Sequence, residues 1–390
     1  MMELATLTVN AGFHRRRWCP VTAQVPLDAG VDLASLTLRD AATRLPVAVQ
    51  AWREEDGSAR VAWIVADLPA GQARAYTLAA EGAPLVGSGV ELRDEGSGRL
   101  AVYVGAEHLT TYNFGPDVVR PYLYPVLAGG GVGVTRNWPM VTELLSETTD
   151  HPHHKGIYTA QGDVNGVDNW SEAAGHGYQV HREFTRVYSG PVAGGFTQTL
   201  DWTDAERTPN MSETRRLTFY ATPGHLRVLD YEIALHASAG PVTLGDTKEG
   251  GLLSVRVATS MDVLEDGTGG TFVNGHGGVQ QGEAWGKRAP WCDYSGPAGG
   301  RTVGVAFLDH IDNPRFPTHW HVRNYGLMTA NPMGLHDFTG IADNRWDLEI
   351  AAGETVAWRY RVIVHDGDAT RAQIGDRYSD FAYPPTVTVS

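Results

Sequence analysis

Residues 150–170 concentrate side chains that could do chemistry. This stretch holds three histidines, a lysine, three aspartates, two asparagines and a tryptophan. So many polar groups are costly in a core strand, because each one that is buried needs a hydrogen-bonding partner. They also exceed what a surface loop requires. The composition therefore indicates a binding site, with His151, His153 and His154 as its first candidates.

The three histidines have more than one interpretation. On a strand, His151 and His153 would share a face, and two imidazoles beside a carboxylate could hold zinc or manganese. Without a metal, the same imidazoles could transfer protons and bind a polar ligand. Pro152 interrupts strand pairing, so we expect a loop or a strand edge. We favour a ligand site without a metal; a metal site formed by His151, His153 and His154, and a solvated turn-rich loop, are the alternatives.

The segment after the histidines has only part of a calcium-binding loop. Asp163, Asn165 and Asp168 supply oxygen atoms around a glycine, but the twelfth position counted from Asp163 is Ala174 instead of a bidentate glutamate. The pattern therefore excludes an EF-hand. A turn rich in Asp and Asn fits better: its oxygens would hold sugar hydroxyls, and the Trp170 indole would face the apolar side of a sugar ring.

A second polar stretch, residues 245–251, places Lys248 and Glu249 between glycines. Glycine lets the backbone turn sharply and approach a ligand closely. In a pocket, Lys248 could stabilise negative charge, Glu249 could act as a base, and Asp246 could bind substrate or tune the lysine. The alternative is a hairpin turn with exposed charges. The stretch lacks the glycine spacing of a phosphate-binding loop.

A third stretch begins at His319 and alternates polar with apolar residues. As a strand it would place His319, His321 and Arg323 on one face, and such a face needs carboxylates or a ligand as partners. His321 is a candidate acid or base, and Arg323 is a candidate charge stabiliser. Asn324 and Asn331 are candidate ligand-binding residues. An exposed strand face is the alternative.

These stretches need a scaffold, and the rest of the chain predicts an all-β one. Short runs rich in valine, threonine, leucine and tyrosine alternate with period two and are separated by turns, and the chain has 46 glycines. No helical crossovers interrupt the strands after residue 90, which favours an antiparallel sandwich. We predict a small N-terminal β-sandwich domain over residues 1–85, a linker at 81–89, and a large antiparallel β-supersandwich domain over 90–390 that carries the site.

One short helix is predicted near the C-terminus. Ile374, Tyr378 and Phe381 follow helical spacing, Asp368 is suited to cap the N-terminal end, and Pro384 would stop the helix. No other segment shows a comparable helical pattern.

Composition limits the partners. The formal net charge of −14 opposes binding to nucleic acid and to anionic membranes, whereas a neutral sugar is indifferent to it. The basic triplet 15–17 beside Trp18 is expected to be a solvated loop. Cys19 and Cys292 are expected to be free thiols in a reducing compartment. No run approaches the ~20 apolar residues of a membrane helix, and the first residues lack a signal-peptide pattern, so we expect a cytoplasmic protein.

The motifs in combination resemble those of a known family. They are RPY at 120–122, DHPHHKG at 150–156, GDVNG at 162–166, GDTKEG at 245–250, WHVRNYG at 320–326 and NP at 331–332. Over roughly residues 90–385 the chain resembles a bacterial family of unknown function, DUF6807, whose members tend to accompany sugar-catabolic oxidoreductases. The family often carries the label "methane oxygenase PmoA". That label implies a helical membrane protein, which the hydropathy of this chain does not support.

The predicted large domain is also similar in kind to the supersandwich of galactose mutarotase-like proteins. That resemblance implies a sugar held in a groove lined by histidine, arginine and carboxylates, with a carboxylate as base and a histidine as acid. We therefore predict a carbohydrate-active enzyme, namely a lyase, epimerase or hydrolase acting on a sugar, an oxidised keto-sugar or a glycoside.

The predicted residues fall into two groups. The catalytic candidates are His153, His154, Lys248, Glu249, His321 and Arg323. The substrate-binding candidates are His151, Asp163, Asn165, Asp168, Trp170, Asp246, Asn324 and Asn331. The alternatives are a non-catalytic carbohydrate-binding protein and a metal-dependent sugar lyase or hydrolase; no other cofactor is expected.

Overall fold

The computed structural model describes residues 2–54, 56–80, 89–144 and 146–390. Its regular structure consists mostly of antiparallel strands, as the alternating apolar pattern predicted. The all-β prediction is confirmed. The predicted linker at 81–89 lies, except for Gly89, outside the described residues.

The N-terminal part of the chain forms two sheets around their own core, which includes Leu7, Cys19 and Trp63. The five-stranded sheet has the order Thr386–Val389, Met2–Asn10, Ala73–Ala80, Thr37–Asp40 and Pro46–Val47. The three-stranded sheet has the order Arg16–Val25, Ala59–Leu68 and Gln50–Arg53. We call this unit the small sandwich.

The small sandwich is closed by a strand from the other end of the chain. Thr386–Val389 pairs antiparallel with Met2–Asn10, and Leu7 lies opposite Val389. The division of the sequence near residue 85 did not anticipate this strand. Its four residues alternate threonine and valine, a pattern that suits the edge of many sheets and does not identify which sheet it joins.

Two larger sheets follow, which we call the front sheet and the back sheet. The front sheet has the order His319–Val322, Leu327–Asn331, Gly250–Arg256, Ile157–Gln161, Tyr122–Ala128, Glu107–Asn113, Arg99–Val104 and Val90–Gly96, with Val132–Gly133 paired to Tyr122–Ala128. The back sheet has the order Tyr178–Tyr188, Ala193–Thr203, Pro209–Tyr220, Leu226–His236, Thr355–Asp366, Arg301–Asp309, Trp291–Ala298 and Thr271–Asn274. A two-stranded sheet joins Val242–Leu244 to Leu348–Ile350.

The two large sheets share one apolar core. Val255, Met328, Trp320 and Val322 of the front sheet belong to it, together with residues of the back sheet. Because side chains alternate along a strand, the residues between these core positions point to the other face of the front sheet. That outer face carries His321 and is where the predicted chemistry lies.

The predicted C-terminal helix is present as Ile374–Ala382. It begins later than Asp368, whose carboxylate accepts a hydrogen bond from a backbone N–H in the preceding turn, and Gln373 at φ 56° separates that turn from the helix. Two five-residue helices were not predicted, because one turn is too short to show a helical period. They are Gln280–Ala284 and Leu335–Thr339, and the 3₁₀ turns are Leu33–Ser35, Gly129–Gly131 and Thr259–Met261.

The two cysteines lie in different cores. Cys19 and Cys292 are both free and buried, the first in the small sandwich and the second in the core of the large sheets. Among the residues that the structure describes, no helix is long and apolar enough to cross a membrane.

Candidate functional site

A row of side chains crosses the outer face of the front sheet. The strand register pairs Tyr122 with Tyr158, Tyr158 with Ser254, Ser254 with Thr329, and Thr329 with His321. Side chains at paired positions point to the same face, and the Thr329 hydroxyl donates to the Ser254 hydroxyl at 2.9 Å. With strands spaced ~4.8 Å apart, Tyr158 and His321 are roughly 14 Å apart across this face.

The three polar stretches meet here because each one leads into a strand of the row. The histidine loop precedes Ile157–Gln161, the Lys-Glu turn precedes Gly250–Arg256, and the third stretch includes His319–Val322. Hydrogen bonds tie the stretches together. The Gln161 amide donates to the Gly245 carbonyl at 2.7 Å. The His321 Nδ1–H donates to the carbonyl oxygen of the lysine in the second stretch, also at 2.7 Å.

The three histidines form an aromatic cluster with Trp170 and Tyr325. His151 stacks on His154 with ring centroids 4.8 Å apart, and on Tyr325 with centroids 5.0 Å apart. His153 meets His154 edge-on at 4.4 Å, and Trp170 lies 5.4 Å from His154. Rings that stack through their faces do not direct their nitrogens at one point. Within the described chain no group of three His, Cys, Asp or Glu side chains is arranged to hold a metal ion, so the geometry gives no support to a metal site at His151, His153 and His154.

Burial keeps three imidazoles neutral, those of His153, His154 and His321. It lowers the pKa of His154, which is 1% exposed, well below the usual range. Burial, reinforced by the positive charge of Arg120, lowers the pKa of His153 to about 3. Burial also lowers the pKa of His321 to about 4, despite its hydrogen bond to a backbone carbonyl. Each ring therefore offers one N–H donor and one lone pair near pH 7.

Two buried arginines hold the histidine loop. Arg136 and Arg256 donate to the same carboxylate oxygen of Asp150, at 2.6 and 2.7 Å. Arg136 also donates to the His151 carbonyl at 2.8 Å. Burial alone would raise the pKa of Asp150, but Arg256 and its other partners outweigh it, so this pKa lies below its usual value. Burial lowers the pKa of Arg136 to about 10.

The turn that carries Lys248 and Glu249 has a fixed backbone and partly exposed side chains. The Lys248 N–H donates to Asp337 at 2.8 Å, and its carbonyl accepts from His321. The lysine Nζ lies 3.4 Å from Glu249 Oε1, and the two side chains are 38% and 49% exposed. Burial raises the pKa of Tyr325, and the positive charges of Arg323 and Arg256 oppose that rise.

Arg323 does not continue the polar face of the third stretch, which corrects that expectation. The strand ends at Val322, and Arg323 enters a turn in which Gly326, at φ 89°, donates to the Arg323 carbonyl at 3.1 Å. The polar strand face is therefore formed by His319 and His321. The guanidinium still reaches the site, because its carbon lies 5.6 Å from the Tyr325 ring centre.

Several predicted ligand-binding residues use their polar atoms within the chain. Asp163 accepts from a backbone N–H three residues later at 2.8 Å, and Asp168 accepts from the N–H of Trp170 at 2.7 Å. Asn165 accepts from a backbone N–H of the strand Val242–Leu244 at 2.7 Å. Trp170 is 2% exposed, so it does not offer a free ring face as predicted. The turn rich in Asp and Asn is present, but its polar atoms form hydrogen bonds within the chain.

The remaining predicted binders anchor neighbouring loops. Asp246 accepts from the His336 ring at 2.8 Å and is fully buried. The Asn331 amide donates to the Thr247 carbonyl at 2.9 Å. The Asn324 side chain is exposed, and its backbone carbonyl accepts from a tyrosine hydroxyl at 3.0 Å.

Several buried polar atoms near this face have no hydrogen-bonding partner among the residues that the structure describes. Such atoms normally bind protein or ordered water, so a group of them indicates where water or a ligand belongs. They are His154 Nε2, Tyr158 Oη, Trp170 Nε1, Arg136 Nε, Arg256 Nε, Arg323 Nε and Asp262 Oδ1. Sequence reasoning missed Tyr158, Arg256 and Asp262. Their strand and turn positions carried no signal, because only the register places them beside the histidines.

Cavity volume alone does not identify this face. Cavities of about 350, 420 and 530 Å³ lie elsewhere on the molecule. The case for the front sheet therefore depends on its chemistry: neutral imidazoles, arginines, and an exposed lysine and glutamate on one surface.

The fold and this face define a class of protein: a two-sheet β-supersandwich with an outer face rich in histidine and arginine. The chain belongs to the family of unknown function DUF6807, whose model matches residues 99–379. A comparison with curated proteins found no match.

Several solved structures match this chain at low identity. A glycosyl hydrolase family 38 protein from Enterococcus faecalis has a TM-score of 0.48 and 9% identity, and covers 100% of this chain and 47% of its own. An alpha-mannosidase from Enterococcus faecalis has a TM-score of 0.46 and 10% identity, and the match covers 99% of this chain and 46% of the mannosidase. A GalM/aldose epimerase homologue from C. elegans has a TM-score of 0.29 and 9% identity, and the match covers 72% of this chain and 99% of the homologue. This chain spans about half the length of the first two, and likeness at this level carries no argument about activity.

Proposed function

We propose that the outer face of the front sheet binds a small carbohydrate and transfers protons on its ring. The observation that supports this most is the row from Tyr158 to His321, which brings the histidine cluster and the Lys248–Glu249 turn onto one face. The span of roughly 14 Å suits a ligand of one or two sugar rings better than a long polymer.

Binding is assigned to the groups that have unused hydrogen-bonding capacity. The neutral ring of His153 exchanges hydrogen bonds with hydroxyls, and the exposed His151 and partly exposed Tyr325 pack on the apolar side of the sugar ring. Trp170 packs against the His154 ring. Asp163, Asn165, Asp168, Asp246 and Asn331 act as positioning residues, since their polar atoms are already bound within the chain.

The acid–base step is assigned to the second and third stretches. Glu249 is an exposed carboxylate that can remove a proton from a hydroxyl or from a carbon next to a carbonyl. His321 donates its Nδ1–H to a carbonyl, so its Nε2 has a lone pair available to a second hydroxyl. Lys248 and Arg323 stabilise the oxygen that becomes negative. When the proton comes from the carbon next to a carbonyl, protonation of that carbon on its opposite face gives an epimer. Expulsion of the substituent on the next carbon, which takes up the proton held by Glu249, gives an unsaturated lyase product.

A second candidate function is carbohydrate binding without catalysis. The observation that favours it is the deep burial of His154 and His321, which are 1% and 2% exposed. Imidazoles held neutral and shielded from water exchange protons poorly with solvent, which disfavours acid–base turnover. Turnover separates the two candidates.

The test combines binding and turnover on one panel of aldoses, keto-sugars and glycosides. We expect at least one ligand to bind by calorimetry and to be converted. The variant Glu249→Gln should lose about a hundredfold or more in kcat while its affinity changes little, and Glu354→Gln, an exposed residue in a turn beside the back sheet, is the matched control. Equal turnover in Glu249→Gln and wild type contradicts the catalytic assignment. Loss of turnover after chelation would instead favour the metal-dependent alternative.

A further inference from the structure

A cleft of about 530 Å³ lies between the small sandwich and the back sheet. Its walls come from three places: strand ends of the small sandwich at Arg17 and Asp67, the turn at His225 with the strand end at Asp366, and the residues that lead into helix Ile374–Ala382. The volume is in the range of small-molecule sites. The cleft contains part of the basic triplet that the sequence pattern assigned to a solvated loop.

The acidic groups of the cleft are already neutralised by arginines. Arg15 donates twice to Asp67, at 2.6 and 2.7 Å, and Arg17 Nε lies 3.7 Å from the same carboxylate. Asp366 is paired with a further arginine at 3.2 Å. The guanidinium of Arg371, which lines the cleft and is exposed, has no ion pair within the described chain. The cleft therefore has positive charge in excess, in a protein whose formal net charge is −14.

The cleft is also held in a defined shape. Arg17 donates to the Gln373 side chain at 2.8 Å. Arg377, which is 8% exposed, donates to the Arg17 carbonyl, and its buried Nε has no partner among the described residues. Trp18 and Gln373 have φ angles of 49° and 56°, which are costly for residues other than glycine. Trp18 packs against an apolar cluster that includes Leu226.

We propose that this cleft binds a small organic oxyanion, a carboxylate or phosphate group on a body of sugar size. Arg371 and Arg17 receive the oxyanion, because guanidinium groups form paired, charge-assisted hydrogen bonds with such groups. Trp18 packs on the rest of the ligand. The site is independent of the front sheet, so it stands or falls separately from the proposed function.

Calorimetry on the full chain tests the proposal with three probes: gluconate, inorganic phosphate and the neutral polyol sorbitol. We expect at least one anion to bind and sorbitol not to bind, and the two anions distinguish a carboxylate from a phosphate site. Arg371→Gln or Arg17→Gln should weaken anion binding by at least about tenfold. Arg93→Gln, which changes an exposed arginine on the front sheet, should bind the anions as wild type does.

Three results would overturn the site: neither anion binds, sorbitol binds as well as the anions, or both cleft variants bind like wild type. Arg371 is exposed, so its substitution should leave the fold intact, and a thermal melt of each variant checks this.

Discussion

Asp150 is the residue on which the histidine loop depends, because it is the common acceptor of two buried arginines. Asp150→Asn removes the charge and leaves Arg136 and Arg256 poorly compensated. Breaking a fully buried pair costs several kcal/mol, and since Asp150 is 40% exposed, we expect a loss of about 2 kcal/mol in the free energy of unfolding. Urea denaturation measures it, with the exposed Asp343→Asn as the control. Equal stability of the two variants would contradict this role.

His321 makes stability depend on pH. Its pKa in the folded chain is about 4, below the ~6.5 of an unfolded histidine. Between these values the unfolded chain binds a proton that the folded chain does not, so stability falls as the pH drops from about 6.5 to 4, by up to roughly 1.4 kcal/mol per pH unit.

The variant His321→Gln isolates this contribution. Glutamine can still donate to the carbonyl of Lys248 but does not titrate, so the difference in unfolding free energy between wild type and variant should itself depend on pH. The control variant His236→Gln, on the back sheet, should keep the contribution of His321 to the pH dependence of the unfolding free energy. A difference that is constant from pH 4 to 7 would show that His321 is not held neutral.

Residue types were easier to predict than residue environments. The density of histidine and the Lys-Glu turn pointed to the stretches that converge, but the sequence placed the Trp170 indole in a binding groove, and it is buried. The sequence pattern gives Tyr325 no role of its own, although its ring stacks on His151. Which ring is exposed depends on the loops that cover the sheet, and those loops come from distant parts of the chain.

At the scale of elements, Gly156 connects the histidine loop to strand Ile157–Gln161. Its φ is 59°, and a Cβ there would lie 2.0 Å from the Leu123 carbonyl oxygen. Gly156→Ala therefore combines strain with a backbone clash, and we expect it to cost about 3 kcal/mol in unfolding free energy.

Gly166→Ala is the matched control for that substitution. Its φ is 82°, but nothing lies within 4 Å of the added Cβ, so only conformational strain remains and about 1 kcal/mol is expected. Chemical denaturation of both variants gives the comparison. If both cost the same, the close approach to Leu123 does not hold the loop.

Strand patterns gave correct elements but not their ends. The alternation after His319 correctly predicted a strand, yet that strand stops at Val322, and Arg323 turns away because Gly326 closes a turn. The C-terminal helix was predicted from its apolar spacing, but Asp368 caps a separate turn before it. The residue at which a strand or helix ends depends on single backbone angles, and the spacing of apolar residues carries no information about those angles.

At the scale of the whole molecule, the strand Thr386–Val389 links the C-terminus to the small sandwich. Val387 packs against the core of that sandwich, whereas Thr388 is exposed. Val387→Asp should lower the unfolding free energy by about 2 kcal/mol, because it removes apolar burial and places a charge against the core. Thr388→Asp should change it by less than about 0.5 kcal/mol. Similar losses in both variants would contradict the pairing.

The sequence predicts the architecture of two sandwiches more completely than it predicts the limits of the two domains. Alternation and the lack of crossovers predicted the sheets, and family membership is now shown for residues 99–379. The pairing of the two chain ends was not visible in the sequence, since an edge strand of four residues carries no information about its partner. The domain limits at 85 and 90 and the cytoplasmic location stay predictions.

Hydrogen–deuterium exchange tests the central claim, that three separate stretches form one sugar site, most directly. The protein is compared with and without the sugar from the panel that binds it. We predict slower exchange in residues 150–156, 246–249 and 319–326 together, with the back sheet and residues 371–377 unchanged. Protection confined to one of the three stretches, or located at the back sheet or the cleft, would contradict the account.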